Sequence, residues 1–428
     1  MLETLKNAWR VKEIRNKILF TILILLIFRI GSVIPVPYIN ADALRNSLSG
    51  DTANQFFSYL SILTGGGLEY GAIFAMSVTP YINASIIIQL LCVAIPALER
   101  LSKEGEEGQK KLAQITRYAT VVLSLIQGIA FYIYLKNSNY LTVKGTAATI
   151  FAGFVIVLAF TAGSALVMWL GEQIDSKGIG NGISILLFAG ILSRGPRAAG
   201  AMVEYWKMGQ QIAVVGIVIG FLAVIAFVVW MTAAERRIPV QYAKRVVGNK
   251  MYGGQNTHIP IKVNMSGVMP IIFASSILML PTMILGFMNT SQQASSFGKV
   301  LQLFSVQGVF YAVIYFAMII GFAYFYATIQ FNLVEMTNNL RKNGGAIPGI
   351  RPGKPTSDFI SKILSRITLM GAMFLSVIAI LPIVIGNVGK INISLGGTSV
   401  LIMVGVALDT VRNLESQMMM RHYKGFLD

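Results

Sequence analysis

The sequence predicts an all-α polytopic membrane protein of ten transmembrane helices, arranged as two inverted five-helix halves around a central pore. Three observations predict it. Of 428 residues, 55% are hydrophobic and only 12% charged, with a mean hydropathy of +0.67, a balance unsuited to a soluble globule. The apolar residues gather in ten segments, at 18–34, 73–95, 118–134, 149–170, 182–192, 212–231, 268–288, 308–331, 367–385 and 398–411, with few charges beyond Arg29 and Asp409. Ten segments divide into two sets of five, and an odd number per set makes the second set cross the membrane in the opposite sense to the first.

Charge sets the orientation. With a cytosolic N-terminus and alternating segments, the cytosolic side holds 26 of the 35 Lys and Arg and 14 of the 18 Asp and Glu, a net of +12 against +4 outside. The positive-inside rule therefore places both termini in the cytosol. Residues 1–17 set Leu5 and Trp9 among five basic residues, which suits an amphipathic helix on the membrane surface or a plain positive flank. The first apolar segment runs into Val33-Ile34-Pro35 with no small-residue cleavage site, and reads as a retained helix. Cys92 is alone, so no internal disulfide forms.

The expected domains follow: the N-terminal half at 18–192, an outer hinge at 193–211, the C-terminal half at 212–411 with cytosolic loops at 233–265 and 335–362, and a cytosolic tail at 412–428. Before the second segment, Phe57, Tyr59, Leu60, Ile62 and Leu63 precede Gly65, Gly66 and Gly67. That piece is too short to span and reads as a re-entrant half-helix hinged by glycine. In the first large loop, residues 237–242 and 258–263 alternate apolar with polar around Gly253-Gly254, the pattern of a projecting hairpin. Glycine and proline shape the second loop, at 341–354. Basic loops also serve simply as topology signals.

The second segment of each half contains or adjoins Gly and Pro, at Gly65–Gly67 and Pro80 and at Pro270 and Pro281. The fifth of each half opens on glycine, at Gly182 and Gly396-Gly397. Matched interruptions point to a central pathway. Its candidate lining is apolar: Ile82 and Ile86 stack four apart, as do Ile183 and Leu187. A bulky apolar constriction sheds water and grips no solute, although isoleucines at this spacing equally serve packing or lipid contact. Asn83, Ser85, Gln127, Ser275 and Ser276 offer a polar seam between segments, or satisfy neighbouring carbonyls. Arg29, deep along the first helix, can snorkel outward or carry a function. Enzyme chemistry finds no footing: both histidines lie outside the segments and no His-Glu-x-x-His, P-loop or Gly-x-Ser-x-Gly occurs. No cofactor is expected.

The runs PYINASIIIQL at 80–90, WLGEQI at 169–174, GIGNGISI at 178–185, PGIRPG at 348–353 and GGTS at 396–399 resemble the bacterial SecY family of protein-translocase channel subunits. The resemblance spans the chain from the first helix to the tail. It implies a two-halved clamshell that passes unfolded polypeptides across the cytoplasmic membrane, with a lateral gate to lipid between helices two and three and helices seven and eight. Asn83, Ser85, Gln127, Ser275 and Ser276 would lie at that gate. It further implies a pore ring at Ile82, Ile86, Ile183, Leu187, Ile272 and Ile402, with Leu187 where many relatives have Ile. A plug near 57–71 would include Phe57, Tyr59, Leu60, Ile62, Leu63 and Gly65–Gly67. The two loops would receive the SecA motor ATPase or the ribosome through Arg236, Arg237, Lys244, Arg245, Lys250, Lys342, Arg351 and Lys354. SecE and SecG are the implied small partners. The competing class is an inverted-repeat secondary transporter, which needs polar coordination at the midplane. An intramembrane protease lacks its catalytic pair.

Orientation is open to direct measurement. In a Cys92→Ser background, an impermeant thiol reagent added outside intact cells is expected to label Arg45→Cys and to spare Lys250→Cys. The opposite pattern reverses the topology.

Overall fold

A computed structural model of the chain describes residues 9–49, 64–209, 211–242, 245–247, 250–252, 256–264, 267–287, 295–304, 308–330, 333–389 and 397–424. Each of the ten apolar segments contains helix among the described residues. Helix α1 (Lys12–Gly31) is followed by short α2 (Ala41–Ser49), α3 (Thr79–Ala94) and α4 (Pro96–Lys103). Long α5 (Glu106–Asn137) and α6 (Thr146–Lys177) lead to short α7 (Gly182–Leu192) and to α8 (Gly195–Lys207). After α9 (Gln211–Ala233) come strands β1 (Glu235–Tyr242), β2 (Arg245–Val247), β3 (Lys250–Tyr252) and β4 (Asn256–Lys262). Then follow α10 (Met269–Phe287), α11 (Ser296–Gln302), α12 (Val309–Gln330), α13 (Leu333–Lys342), strand β5 (Gly345–Ala346), α14 (Lys354–Gly389) and α15 (Gly397–Lys424).

Among the described residues, five helices are long and apolar enough to span a bilayer alone, or six if α3 and α4, bent by 103° at Pro96, count as one. The rest fail for visible reasons. Helix α7 has 11 residues, about 16 Å at 1.5 Å per residue, half a bilayer core. Large aliphatic side chains point outward where no protein covers them: on α9, Ile212 is 90% exposed and Trp230 68%. Exposure on that scale suits hydrocarbon as the surrounding solvent.

The helices pack in two groups. Helices α1, α3, α5, α6 and α7 touch one another, as do α9, α10, α12, α14 and α15. The groups meet along two edges, α10 against α3 and α5, and α15 against α7. At the meeting lies one apolar cluster fed by α1, α3, α6, α7, α10 and α15.

One expectation is corrected. The second apolar segment is helical only from Thr79, because residues 64–78 run as turns with Gly65, Gly66 and Gly71 at positive φ and Ser77 at φ 48°. Hydropathy registers burial there and is blind to backbone sign. Of the expected half-helix, Gly65, Gly66 and Gly67 stand in those turns, while Phe57, Tyr59, Leu60, Ile62 and Leu63 lie outside the described residues. Of residues 1–17, residues 12–17 open α1, with Ile14 buried against Ile179 and Leu414, while residues 1–8 lie outside the described residues.

The expected hairpin is a small sheet. Strands β1 and β4 pair antiparallel, with Ile238 opposite Ile259, and β2 pairs with β3 beyond them. Strand β5, from the second loop, joins the free edge of β1 through Gln241 and Tyr242. Ile238, Val240 and Ile261 are buried with Ile347 of the second loop and with Ile360, Leu364 and Ile367 of α14. Two loops separated by about a hundred residues of chain therefore share one core.

Close helix contact depends on glycine at the α6–α7 crossing. A methyl group on Gly182 would meet the carbonyl oxygen of Gly171, and one on Gly171 would lie 2.5 Å from Ile183 Cδ1. Gly182→Ala is expected to cost about 1–3 kcal/mol by overpacking and to lower the unfolding midpoint in detergent. Gly200→Ala, where a methyl meets nothing within 4 Å, should leave the midpoint unchanged or raised.

Candidate functional site

The candidate site is the apolar cluster at the meeting of the two helical groups. Each contributing helix is started by local chemistry that fixes where its apolar side chains fall. Proline stands in the first turn of α3, where a missing N–H costs nothing. Asn181 caps α7, its side-chain oxygen accepting from Ser184 N–H at 2.9 Å, and Asp175 Oδ1 accepts from Gly182 N–H at 2.7 Å. Met269-Pro270 opens α10 and Gly397 opens α15.

From these starts, Ile82, Ile183, Leu187, Ile272 and Ile402 converge in the central cluster. Leu187 and Ile402 are each 3% exposed and Ile272 8%, with Ile82 and Ile183 half-buried at its margin. Phe74, Val78, Val268 and Met269 extend the packing. Ile86 is buried at 2% but stands outside the cluster. It lies one turn further along α3, about 6 Å.

A cleft of about 310 Å³ with a mixed polar and apolar lining adjoins the cluster on the side of the sheet. It shares Val268 and Met269 with the cluster and is lined by Asn181, Ser184, Thr232, Lys262, Asp409 and Arg412. Arg412 donates to the Thr232 carbonyl at 3.0 Å. None of the five convergent residues carries a hydrogen-bonding side chain.

On the opposite side lies an arrangement that the sequence reading missed. Arg29 Nη1 donates to the Gly65 carbonyl at 2.9 Å, and the Ser193 hydroxyl, whose shorter bond is to the Gly190 carbonyl at 2.7 Å, lies 3.2 Å from the same Gly65 oxygen. This resolves the intramembrane arginine: it holds a turn. Glu69, 5% exposed, binds Arg194 through one oxygen and Arg197 Nη1 at 2.5 Å through the other. Burial pushes the Arg194 pKa down, while hydrogen bonding to Glu69 raises that of Arg197. The available signal was one acidic residue inside a glycine-rich apolar run, with two arginines three apart after α7.

The seam residues sit on helices that meet. Asn83 and Ser85 are on α3, Gln127 on α5, and Ser275 and Ser276 on α10. Ser85 accepts from the Gln89 amide at 3.1 Å, and the Ser275 hydroxyl donates to the Ile272 carbonyl at 3.0 Å, both within their own helices. Asn83, Gln127 and Ser276 are half-buried.

The basic residues of the two loops surround the shared sheet. Arg236 and Arg237 are exposed on β1, and Arg237 Nε donates to Glu235 at 2.7 Å. Arg245 and Lys250 lie on β2 and β3, while Lys244 is outside the described residues. Lys342 ends α13, Lys354 begins α14, and both are exposed. Arg351 is exposed between Gly349 at φ 81° and Gly353 at φ 109°, conformations that suit glycine. Its carbonyl accepts from the Thr356 hydroxyl at 2.8 Å, so the backbone is pinned while the guanidinium makes no ion pair among the described residues.

The SecY family model matches residues 72–411. A SecY protein-translocase subunit of Bacillus subtilis is 44% identical over the full length of both chains, and one of Mycobacterium tuberculosis is 42% identical over both full lengths. Among solved structures, a protein-conducting channel aligns with a TM-score of 0.64 at 17% identity, covering 94% of this chain and 92% of that one. Sec61 in the canine ribosome-channel complex from the endoplasmic reticulum gives 0.58 at 16% identity, with the same coverage. At such identities the two structural likenesses establish the fold.

A polar side chain at the constriction should admit water. Ile402→Asn is expected to raise the ion conductance of the reconstituted protein, whereas Ile86→Asn, outside the cluster, should raise it less. Equal, wild-type conductance in both would make Ile402 an ordinary packing residue.

Proposed function

This chain belongs to the SecY family, and on that premise we propose that it is a protein-conducting channel, which passes unfolded secretory polypeptides across the cytoplasmic membrane and releases apolar segments sideways into lipid. The observation that carries the reading is the convergence of Ile82, Ile183, Leu187, Ile272 and Ile402 where the two helical groups meet. A secondary transporter needs polar or charged coordination at that place. An apolar ring instead seals against ions and can deform around a chain of any sequence, because dispersion contacts make no demand on side-chain identity.

The remaining assignments extend this reading. The edge of α10 against α3 and α5 is the lateral gate, with Asn83, Ser85, Gln127, Ser275 and Ser276 near it. A plug near 57–71 would include Gly65, Gly66 and Gly67, in the turn that Arg29 holds through the Gly65 carbonyl. Both termini are cytosolic, from the charge imbalance. The five-stranded loop unit is the docking platform for SecA or the ribosome, and SecE and SecG complete the channel. The canine relative in a ribosome complex supports the ribosome as a partner. Phosphate-rich RNA and an acidic motor surface would both be drawn to Arg236, Arg237, Lys342, Arg351 and Lys354. Purification with co-eluting SecE and SecA, followed by translocation into reconstituted vesicles, tests the function as a whole.

Arg351 gives the sharpest test of the platform. A planar guanidinium on a pinned backbone offers two parallel hydrogen bonds that an ammonium cannot copy. Arg351→Glu is expected to abolish SecA-driven translocation at equal protein levels, and Arg351→Lys to be intermediate. Full activity of Arg351→Glu would remove docking from this residue, and full substitution by Lys would reduce its role to charge.

A further inference from the structure

The outer triad of Glu69, Arg194 and Arg197 does more than satisfy a buried carboxylate, which needs only one arginine. Glu69 sits in the turn 64–71, and both arginines flank the junction of α7 and α8. Those two places are the outer continuations of two walls of the constriction. Beyond the turn, the same stretch of chain delivers Phe74, Val78 and Ile82 to the central cluster, and α7 delivers Ile183 and Leu187. The turn approaches the same junction at a second point, where the Ser193 hydroxyl lies 3.2 Å from the Gly65 carbonyl oxygen. Its remaining attachments run to α1 and the segment after it, through Arg29 to Gly65 and through Val36 N–H to the Gly71 carbonyl at 2.9 Å. Arg45 of α2 lies over the Tyr70 ring at 5.6 Å.

We infer that Glu69, Arg194 and Arg197 form a clasp that holds the constriction shut and so sets how strong a signal sequence must be to open it. The inference rests on the channel reading above. Both ends of the clasp lie in the first helical group, so it resists displacement of the turn and of residues 74–82 from α7 within that half, and its charge-assisted bonds favour the closed arrangement of these two walls. A partly exposed member can be removed without unfolding the rest: the Arg197 side chain is 52% exposed, against 14% for Arg194 and 6% for Glu69.

The experiment compares wild type, Arg197→Gln, Arg197→Lys and Glu69→Gln, reconstituted with partner subunits at equal amounts. Two preproteins are offered, one with an intact and one with a defective signal sequence, and ion conductance is read without substrate. Arg197→Gln is expected to raise passage of the defective preprotein about fivefold, the scale of one partly exposed ion pair, and to raise resting conductance. Arg197→Lys should restore most of the stringency, and Glu69→Gln should loosen it further than Arg197→Gln. Unchanged stringency and conductance in Arg197→Gln, or a lower yield with wild-type stringency, would overturn the clasp while wild-type passage of the intact preprotein left the channel reading standing. Failure of the wild type to pass the intact preprotein would overturn both.

Discussion

A seal built from apolar packing has to close against water without any bond that a passing chain would have to break in the bilayer interior. In the proposed channel that seal would be the few branched aliphatic side chains brought together from α3, α7, α10 and α15. Dispersion contacts of this kind are individually weak and indifferent to direction, so they hold ions out and still yield to a polypeptide. The cost is that the seal cannot fix its own geometry. Positioning falls to elements around it: glycines that let α6 and α7 touch, the cap at Asn181, and the polar anchors on the outer turn.

Polar anchoring is concentrated where water or buried carbonyls can support it. Arg29 satisfies the Gly65 carbonyl, and Glu69 gathers two arginines at the outer ends of the helices. Removing one partner of a buried pair strands the other, at a cost of about 3–5 kcal/mol. Such a pair is therefore a firm latch at a boundary and would be a hazard at the midplane. The division of labour follows from dielectric: packing seals the middle and charge fastens the rim.

The sequence made the apolar segments legible because transfer into hydrocarbon is decided residue by residue. Segment 182–192 coincides with α7, and 212–231 falls within α9. Where helices outrun the hydrocarbon, hydropathy stops early: α5 begins at Glu106 and α14 at Lys354, both in charged sequence that is a good helix former in water. Residues 73–78 misled in the other direction, since an apolar run bent by Gly71 and Ser77 at positive φ has the hydropathy of a helix and the backbone of a turn. Long-range pairings left no local trace. Strand β5 is two residues long and has no period to detect, and Glu69 meets Arg194 across 125 positions. Motif resemblance, more than spacing, singled out Ile272 and Ile402.

The same geometry connects the sheet to the seal. Helix α14 runs unbroken for 36 residues, about 54 Å. Its first turns, through Ile360, Leu364 and Ile367, complete the core of the two-loop sheet. Further along, Phe374, Leu375 and Ile378 pack with Ile271 and Leu401. Those are the immediate chain neighbours of Ile272 and Ile402, on the opposite side of α10 and α15 from the constriction. A load on the sheet that shifts or rotates α14 thus bears on the back of two helices that carry the ring. Packed helices move as bodies and resist smooth deformation. The two-loop sheet and the helices behind the central cluster are accordingly packed on one continuous helix, and Glu69 belongs to neither contact.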